Sequence, residues 1–378
     1  MRSLRFVSGL VVAVLLYARL ATTWASEDEP IIAADINGNL IINSSSVTSA
    51  TRLLFNGVDV LNALTELREI CSGCSPQTPP SPTPAPSTTA PTVSPEAVVY
   101  SSNVGCSPSG VPPNATHILG HLDLYYCTNL TAQDLQALQN IVHVSGHVHI
   151  YYNGLLAHLN GLGNLTSIGT YVLVSDNNAL SNLDGLSRLT AINGHFQVAN
   201  NVALATLNGL SNLISVGDFL QINVNANLES VHGLANLATV GGDFLVISNG
   251  ALQNVNGLDK LTFVGGSLLI SGNVGLKNVD GLGSLSSIGG YLRVQSNVGL
   301  TNVDGLSQLT IVGPYIRVQE NSHLTSLEGL YGITSVGTYV QICSNSLLNI
   351  SAVQRELGDL GVPGHTCQTF TTGFFCPC

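Results

Sequence analysis

Residues 281–304 read GLGSLSSIGGYLRVQSNVGLTNVD. The 24 residues on either side, GLDKLTFVGGSLLISGNVGLKNVD at 257–280 and GLSQLTIVGPYIRVQENSHLTSLE at 305–328, carry the same pattern. Counted from each leading glycine, the unit is G-L-x-x-L-x-x-[IV]-G-x-x-[LVF]-x-[VI]-x-x-N-x-x-L-x-x-[LV]-x. It begins at Gly161, Gly185, Gly209, Gly233, Gly257, Gly281, Gly305 and Gly329, with an earlier unit from Ala137. Nine asparagines mark the same column: Asn153, Asn177, Asn201, Asn225, Asn249, Asn273, Asn297, Asn321 and Asn345. A period kept this long means a solenoid, in which each turn of chain stacks only on its neighbours.

Seven columns of the unit are apolar (positions 2, 5, 8, 12, 14, 20 and 23). Over nine units that makes 63 places, and 62 hold Val, Ile, Leu or Phe; Ser351 is the exception. The spacing of two between positions 12 and 14 is a strand spacing, with alternate side chains pointing inward. The spacings of three mark corners. No unit carries a helix-length apolar run, so each turn is expected to be short strands and tight turns. At about 2 kcal/mol per buried aliphatic side chain, these columns dominate folding before entropy is subtracted. The asparagines are expected inside as a structural ladder, their amides bonding the turns above and below. Asparagine also tolerates the left-handed backbone of a sharp corner. The pairs Asp184-Gly185, Asn208-Gly209, Asp280-Gly281 and Asp304-Gly305 read as turn chemistry.

The string IGGYLRVQSNVGLTNVDGL, Ile288 to Leu306, resembles the receptor L domain, a leucine-rich-repeat relative found in the ectodomains of the insulin and epidermal growth factor receptors. An ordinary leucine-rich repeat has N-x-L after its strand; this chain has N-x-x-L, as the L domain does. The resemblance spans about residues 115–367. It implies an all-β fold, a right-handed β-solenoid of 24-residue leucine-rich-like turns with disulfide caps, and no fixed binding motif. A Cys-rich module, a transmembrane span and a kinase are missing from the sequence, so a signalling receptor is not implied.

The sequence divides into six stretches. Residues 1–25 read as a signal peptide: Arg2 and Arg5, then an apolar run from Phe6 to Tyr17, then Thr23-Trp24-Ala25 as a cleavage site. Residues 26–74 form a small N-terminal segment. Its part from Leu53 to Ile70 places Leu53, Val60, Leu64 and Leu67 in a partial heptad register, read as a short amphipathic helix ahead of Cys71 and Cys74. Two readings stay open there: self-association locked by interchain disulfides, giving a disulfide-linked homo-oligomer, or a lone helix with a Cys71–Cys74 bond. Residues 75–96 are a Pro/Ser/Thr linker, with eight prolines and nine Ser/Thr in residues 75–95, an extended stalk of roughly 65 Å. Residues 97–136 form the N-terminal cap and first turn, 137–351 the repeats, and 352–378 the C-terminal cap, with a short helix expected over 352–360.

Cys106 and Cys127 flank the first turn, and Cys343 and Cys367 the last; both pairs are expected to seal the ends. Sequons at Asn43, Asn114, Asn164 and Asn349 are glycosylation candidates. A fifth, at Asn129, continues the asparagine column one turn further up and is expected to be buried and unmodified. Beyond the leader no apolar stretch is long enough to span a membrane. Of the 11 Lys and Arg, three lie in the leader, so the mature charge is 8 − 22 = −14. That argues against nucleic acid or an anionic membrane as partner. The expected setting is extracellular, the protein secreted, with no cofactor.

Positions 11, 13 and 15 point outward along the stacked sheet, the face where solenoids bind. Near its C-terminal end that face gathers Tyr291, Tyr315 and Tyr339 beside Arg293, Arg317 and Gln341, with Gln295 and Gln319 beyond. Tyrosine and arginine are enriched at binding hot spots, and planar guanidinium and amide groups suit sugars and carboxylates. At the other end lie His143, His147, His149 and His158. His147 and His149 share a strand face and offer two metal ligands; His195 is two turns away, near ~10 Å, so no third is evident and no metal is assigned. They read as exposed histidines beside Tyr151 and Tyr152.

The sequence therefore points to recognition of an extracellular glycan or protein through this face. The alternative is a structural matrix or cell-wall protein without a discrete ligand. A polysaccharide-cleaving enzyme ranks third, because Asp218 and Asp243 are the one candidate carboxylate pair. No nucleophile elbow or firm metal-ligand spacing occurs.

Overall fold

The computed structural model describes residues 97–349 in full and the backbone of five short strands outside them. The chain divides into two units, Met1–Pro91 and Thr92–Cys378. In the first, Ile31–Ala34 pairs antiparallel with Leu40–Asn43, and Leu54–Phe55 with Val58–Asp59. The helix expected from Leu53 is therefore not how that stretch begins. Leu54–Phe55 and Val58–Asp59 flank Asn56-Gly57, the dipeptide most favoured in two-residue hairpins, and that local signal outweighs a partial register of two heptads. Cys71, Cys74, Cys376, Cys378, the stalk and the expected helix over 352–360 lie outside the described residues.

The second unit is mostly parallel strands in stacked sheets, an all-β, solenoid-like fold. One sheet has 11 strands, from Leu122–Tyr125 at one end to Gly364–Thr366 at the other. From Val148–Tyr151 onward each strand pairs with the residue 24 places later: Val172 with Phe196, Leu292 with Ile316. Two-residue strands such as Ser167–Ile168 and Ser287–Ile288 form a second side, and short 3-10 turns such as Asp184–Leu186 a third. Period-two alternation explains the long strands: Leu292 and Val294 are fully buried while Arg293 and Gln295 between and beside them are partly open. All 62 aliphatic or phenylalanine places of the seven columns are buried, none more than 8% exposed.

The asparagine column is buried as expected, Asn153 through Asn321 at 0% exposure and Asn345 at 6%. From Asn177 on, each Oδ1 accepts the backbone N–H of the asparagine one turn earlier, as Asn249 does from Asn225 at 3.0 Å. Each Nδ2 donates to a strand carbonyl of that earlier turn, as Asn249 does to Ile222 at 2.9 Å. The left-handed backbone, however, belongs to the residue before the asparagine. Tyr152, Asp176, Asn200, Val224, Ser248, Ser296, Glu320 and Ser344 all have φ between 54° and 58°. The corner is made there, which frees the asparagine backbone N–H to point at the next amide.

The Asp-Gly and Asn-Gly pairs lie in turns as expected, opening the 3-10 turns Asp184–Leu186, Asn208–Leu210, Asp280–Leu282 and Asp304–Leu306. Their glycines, Gly185, Gly209, Gly281 and Gly305, have ordinary φ, and each also packs against the preceding turn. A Cβ on Gly185 would sit 1.8 Å from the Leu159 carbonyl oxygen, so this column sets how closely turns stack.

The regular register fails at the N-terminal end. Leu122 pairs with Val148 and Tyr125 with Tyr151, a separation of 26. Cys127, not Asn129, takes the rung below Asn153, its N–H reaching Asn153 Oδ1 at 3.1 Å. Asn129 is exposed, which corrects its expected burial. Among the other sequons, Asn114 and Asn349 are exposed, while the Asn164 Nδ2 donates to the Gln139 carbonyl at 2.7 Å. Asn43 lies in the first unit, where only its strand is described. Cys106 and Cys127 form a disulfide. Cys343 is also disulfide-bonded; its expected partner, Cys367, lies outside the described residues.

Candidate functional site

The outward face of the long sheet is lined by ladders of like side chains, because parallel pairing puts equivalent positions abreast. Toward the C-terminal end Tyr291, Tyr315 and Tyr339 stack with centroids 4.9 Å apart and rings within 3° of parallel. One column over, Arg293 pairs in register with Arg317, and Arg317 with Gln341. The Arg317 guanidinium carbon lies 5.6 Å from the Tyr315 centroid, and its Nη2 donates to the Tyr339 hydroxyl at 3.3 Å. Burial pushes the Tyr291 and Tyr315 phenols up, so they stay protonated donors across the neutral range.

Neither arginine forms a direct ion pair: among the described residues, no carboxylate lies within 4.0 Å of either. The Nε atoms of Arg293 and Arg317 and the Oε1 of Gln341 are buried without a hydrogen-bond partner. Unpaired buried donors destabilise a fold, and here two of them lie side by side on one face. Glu320 stands at the rim. Its carboxylate accepts from Ser296 Oγ at 2.6 Å and Gln295 Nε2 at 3.1 Å, and those bonds, helped by the charge of Arg293, hold it below the usual carboxylate range.

Of the eight residues expected here, Tyr291, Arg293, Gln295, Tyr315, Arg317 and Tyr339 come together partly open. Gln319 and Gln341 do not: they are 4% and 7% exposed, and Gln319 Nε2 turns toward Glu320 at 3.4 Å. The left-handed corner brings the Glu320 side chain back to position 15, a contact that alternation alone does not foresee.

Asp218 and Asp243 fall in different columns. Asp243 Oδ1 lies over Gly266 and accepts the Ser267 N–H at 2.6 Å, a structural bond that explains the glycine opposite it.

At the N-terminal end the histidines separate. His143 lies on the short-strand side, bonded to Ser167 and Ser145, and His158 lies beyond the asparagine corner. His147 and His149 stay on the long face and are joined by Asp123, which the sequence reading missed. His147 Nε2 lies 2.7 Å and His149 Nδ1 3.7 Å from Asp123 Oδ1. His147 sits in a ring column that runs from His121 (4.0 Å) through Tyr171 (4.9 Å), His195 and Phe219. Burial, then the neighbouring His147, push the His149 imidazole down toward the neutral form. Beside this cluster Tyr125, Tyr126, Tyr151 and Tyr152 form an aromatic patch, with Tyr126 and Tyr152 stacked at 4.5 Å. The signal for Asp123 was present: Leu122-Asp123-Leu124 repeats the alternation of Val148-His149-Ile150 one turn above the first full unit.

Compared with known protein families and with curated proteins, the chain gives no match. Among the described residues no helix is long and apolar enough to cross a membrane.

Proposed function

We propose that this is a secreted extracellular recognition protein whose head is a right-handed β-solenoid of 24-residue leucine-rich-like turns, related to the receptor L domain and closed at both ends by disulfides. The ligand is an anionic one, a carboxylated or sulfated glycan or an acidic protein segment, held on the sheet face around Arg293 and Arg317. One observation carries this reading: two arginines abreast, with no direct ion-pair partner and both Nε atoms buried and unbonded, beside a tyrosine stack. A protein with net charge −11 places like charges together at a cost that an anion would offset. Arginine forks bind carboxylate and sulfate bidentately, and the flat tyrosines offer a surface for a sugar ring.

The test is binding of the purified, labelled protein to arrays of glycans and extracellular proteins, beside the Arg293→Ala, Arg317→Ala double variant. Acidic ligands are expected to bind and to lose about 30-fold or more per arginine removed, the hot-spot range. Silence from the wild type, or a ligand bound equally by the double variant, would move the assignment to a structural matrix role carried by the stalk and Cys71 and Cys74.

A further inference from the structure

At the opposite end of the same face, Asp123, His147 and His149 present three ligand atoms within 4.8 Å of one another. We propose that this cluster is a binding site for a divalent late transition metal of the zinc class, independent of the arginine face. Imidazole nitrogen and carboxylate oxygen are the donor set such ions take, and two histidines with one carboxylate is a recurrent open zinc site. Ligands about 2.1 Å from a tetrahedral zinc lie about 3.4 Å apart. The pairs Asp123 Oδ1–His147 Nε2 at 2.7 Å and Asp123 Oδ1–His149 Nδ1 at 3.7 Å fall on either side of that spacing. The third pair, within 4.8 Å, needs to close by no more than about 1.4 Å, which rotation of the His149 and Asp123 side chains on the sheet surface can supply.

The backbone fixes all three donors. Asp123 and His149 are register partners on adjacent strands, and His147 lies two residues before His149 on the same face. That register exists because the first contact is offset by 26 residues, where the repeats have 24. The His147 ring is clamped between His121, 4.0 Å away and 14° from parallel, and Tyr171 at 4.9 Å and 20°. His121 is itself held: its Nδ1 accepts the His147 N–H at 3.1 Å, over Gly146, where a Cβ would lie 2.0 Å from that nitrogen. Stacking and a glycine gap thus hold a ring that in many metal sites is held by a second-layer hydrogen bond. The ion would replace the proton that His147 Nε2 now shares with Asp123. All three side chains remain partly solvent-accessible, 17% for His147, 26% for His149 and 36% for Asp123, so the ion would keep open positions toward solvent and whatever docks beside the tyrosine patch.

The experiment is equilibrium Zn2+ binding to the tag-free chain by calorimetry, repeated with Co2+ for its ligand-field spectrum. His147→Ala, His149→Ala and Asp123→Asn are measured beside the wild type, with circular dichroism to check the fold. The wild type is expected to bind one ion and to melt higher with Zn2+. Each variant is expected to lose at least about tenfold in affinity, since even indirect partners of a metal ligand contribute that much. If a variant is misfolded, His149→Gln replaces it, because a half-open side chain of similar reach leaves the core untouched. No saturable Zn2+ uptake by the wild type, or wild-type affinity in any well-folded ligand variant, would overturn the assignment.

Discussion

Replacing Asn249 with alanine tests the internal ladder most directly. The Asn249 side chain is fully buried in the middle of the stack. Its Oδ1 accepts from the Asn225 N–H at 3.0 Å and the Asn225 Nδ2 at 3.3 Å; its Nδ2 donates to Ile222 O at 2.9 Å and Asn273 Oδ1 at 3.4 Å. In Asn249→Ala, Asn225 Nδ2 keeps Val198 O and Asn273 Oδ1 keeps the Asn249 N–H, so those two groups stay bonded. The Asn225 N–H and the side-chain-facing lone pair of Ile222 O do not. The stranded N–H at about 1–3 kcal/mol, with about 1 kcal/mol for the carbonyl's lost second bond, gives about 2–4 kcal/mol of destabilisation. A terminal rung should lose less. Asn345 accepts from Asn321 and donates to Val318, is 6% exposed, and its orphaned groups can reach water. Urea unfolding followed by circular dichroism would measure both variants. A fall of under about 1 kcal/mol for Asn249→Ala, or equal losses at Asn249 and Asn345, would refute the account of stranded partners.

Val224 is a β-branched residue at φ 56° and 43% exposed, so Val224→Gly should raise stability by about 0.5–1 kcal/mol; a lower urea midpoint would contradict the strain assigned to that corner. Gly233→Ala should destabilise by about 3 kcal/mol or more, because its Cβ would lie 1.7 Å from the Leu207 carbonyl oxygen and the backbone must part; an unchanged melt would mean that the turns stack less tightly than described. Glu320 has a carboxyl depressed below its ordinary 4.5 when folded. The unfolded state then binds a proton first, so the contribution is present above the unfolded value and is lost as pH falls through the folded one. Glu320→Gln should flatten the acid limb of the stability profile, and a limb of unchanged slope would count against those bonds.

The sequence by itself determined the stack. Seven apolar columns and one asparagine column, held at one spacing, leave a chain no better way to bury that surface than to coil it against copies of itself, and among the described residues every one of those places is inside. It also determined which residues of a regular strand face outward, since alternation is local geometry. Hence Tyr291, Arg293, Tyr315, Arg317 and Tyr339 were legible as one surface. What it left undetermined depends on how one turn meets another. Local spacing places Asn129 on the ladder; the folded chain gives that rung to Cys127, because the 3-10 turn Asp134–Leu138 takes up two extra residues before the register resumes. The same shift sets Asp123 beside His149. The corner is turned by residue 320 and its equivalents, one place before the asparagine, because only then can the asparagine N–H face the next amide. And Gln319 and Gln341 lie buried on a face where alternation puts them in the open. Register between turns is decided by which donors and acceptors must meet across a gap of one strand, and that matching is a property of the assembled stack, which no single stretch of sequence contains.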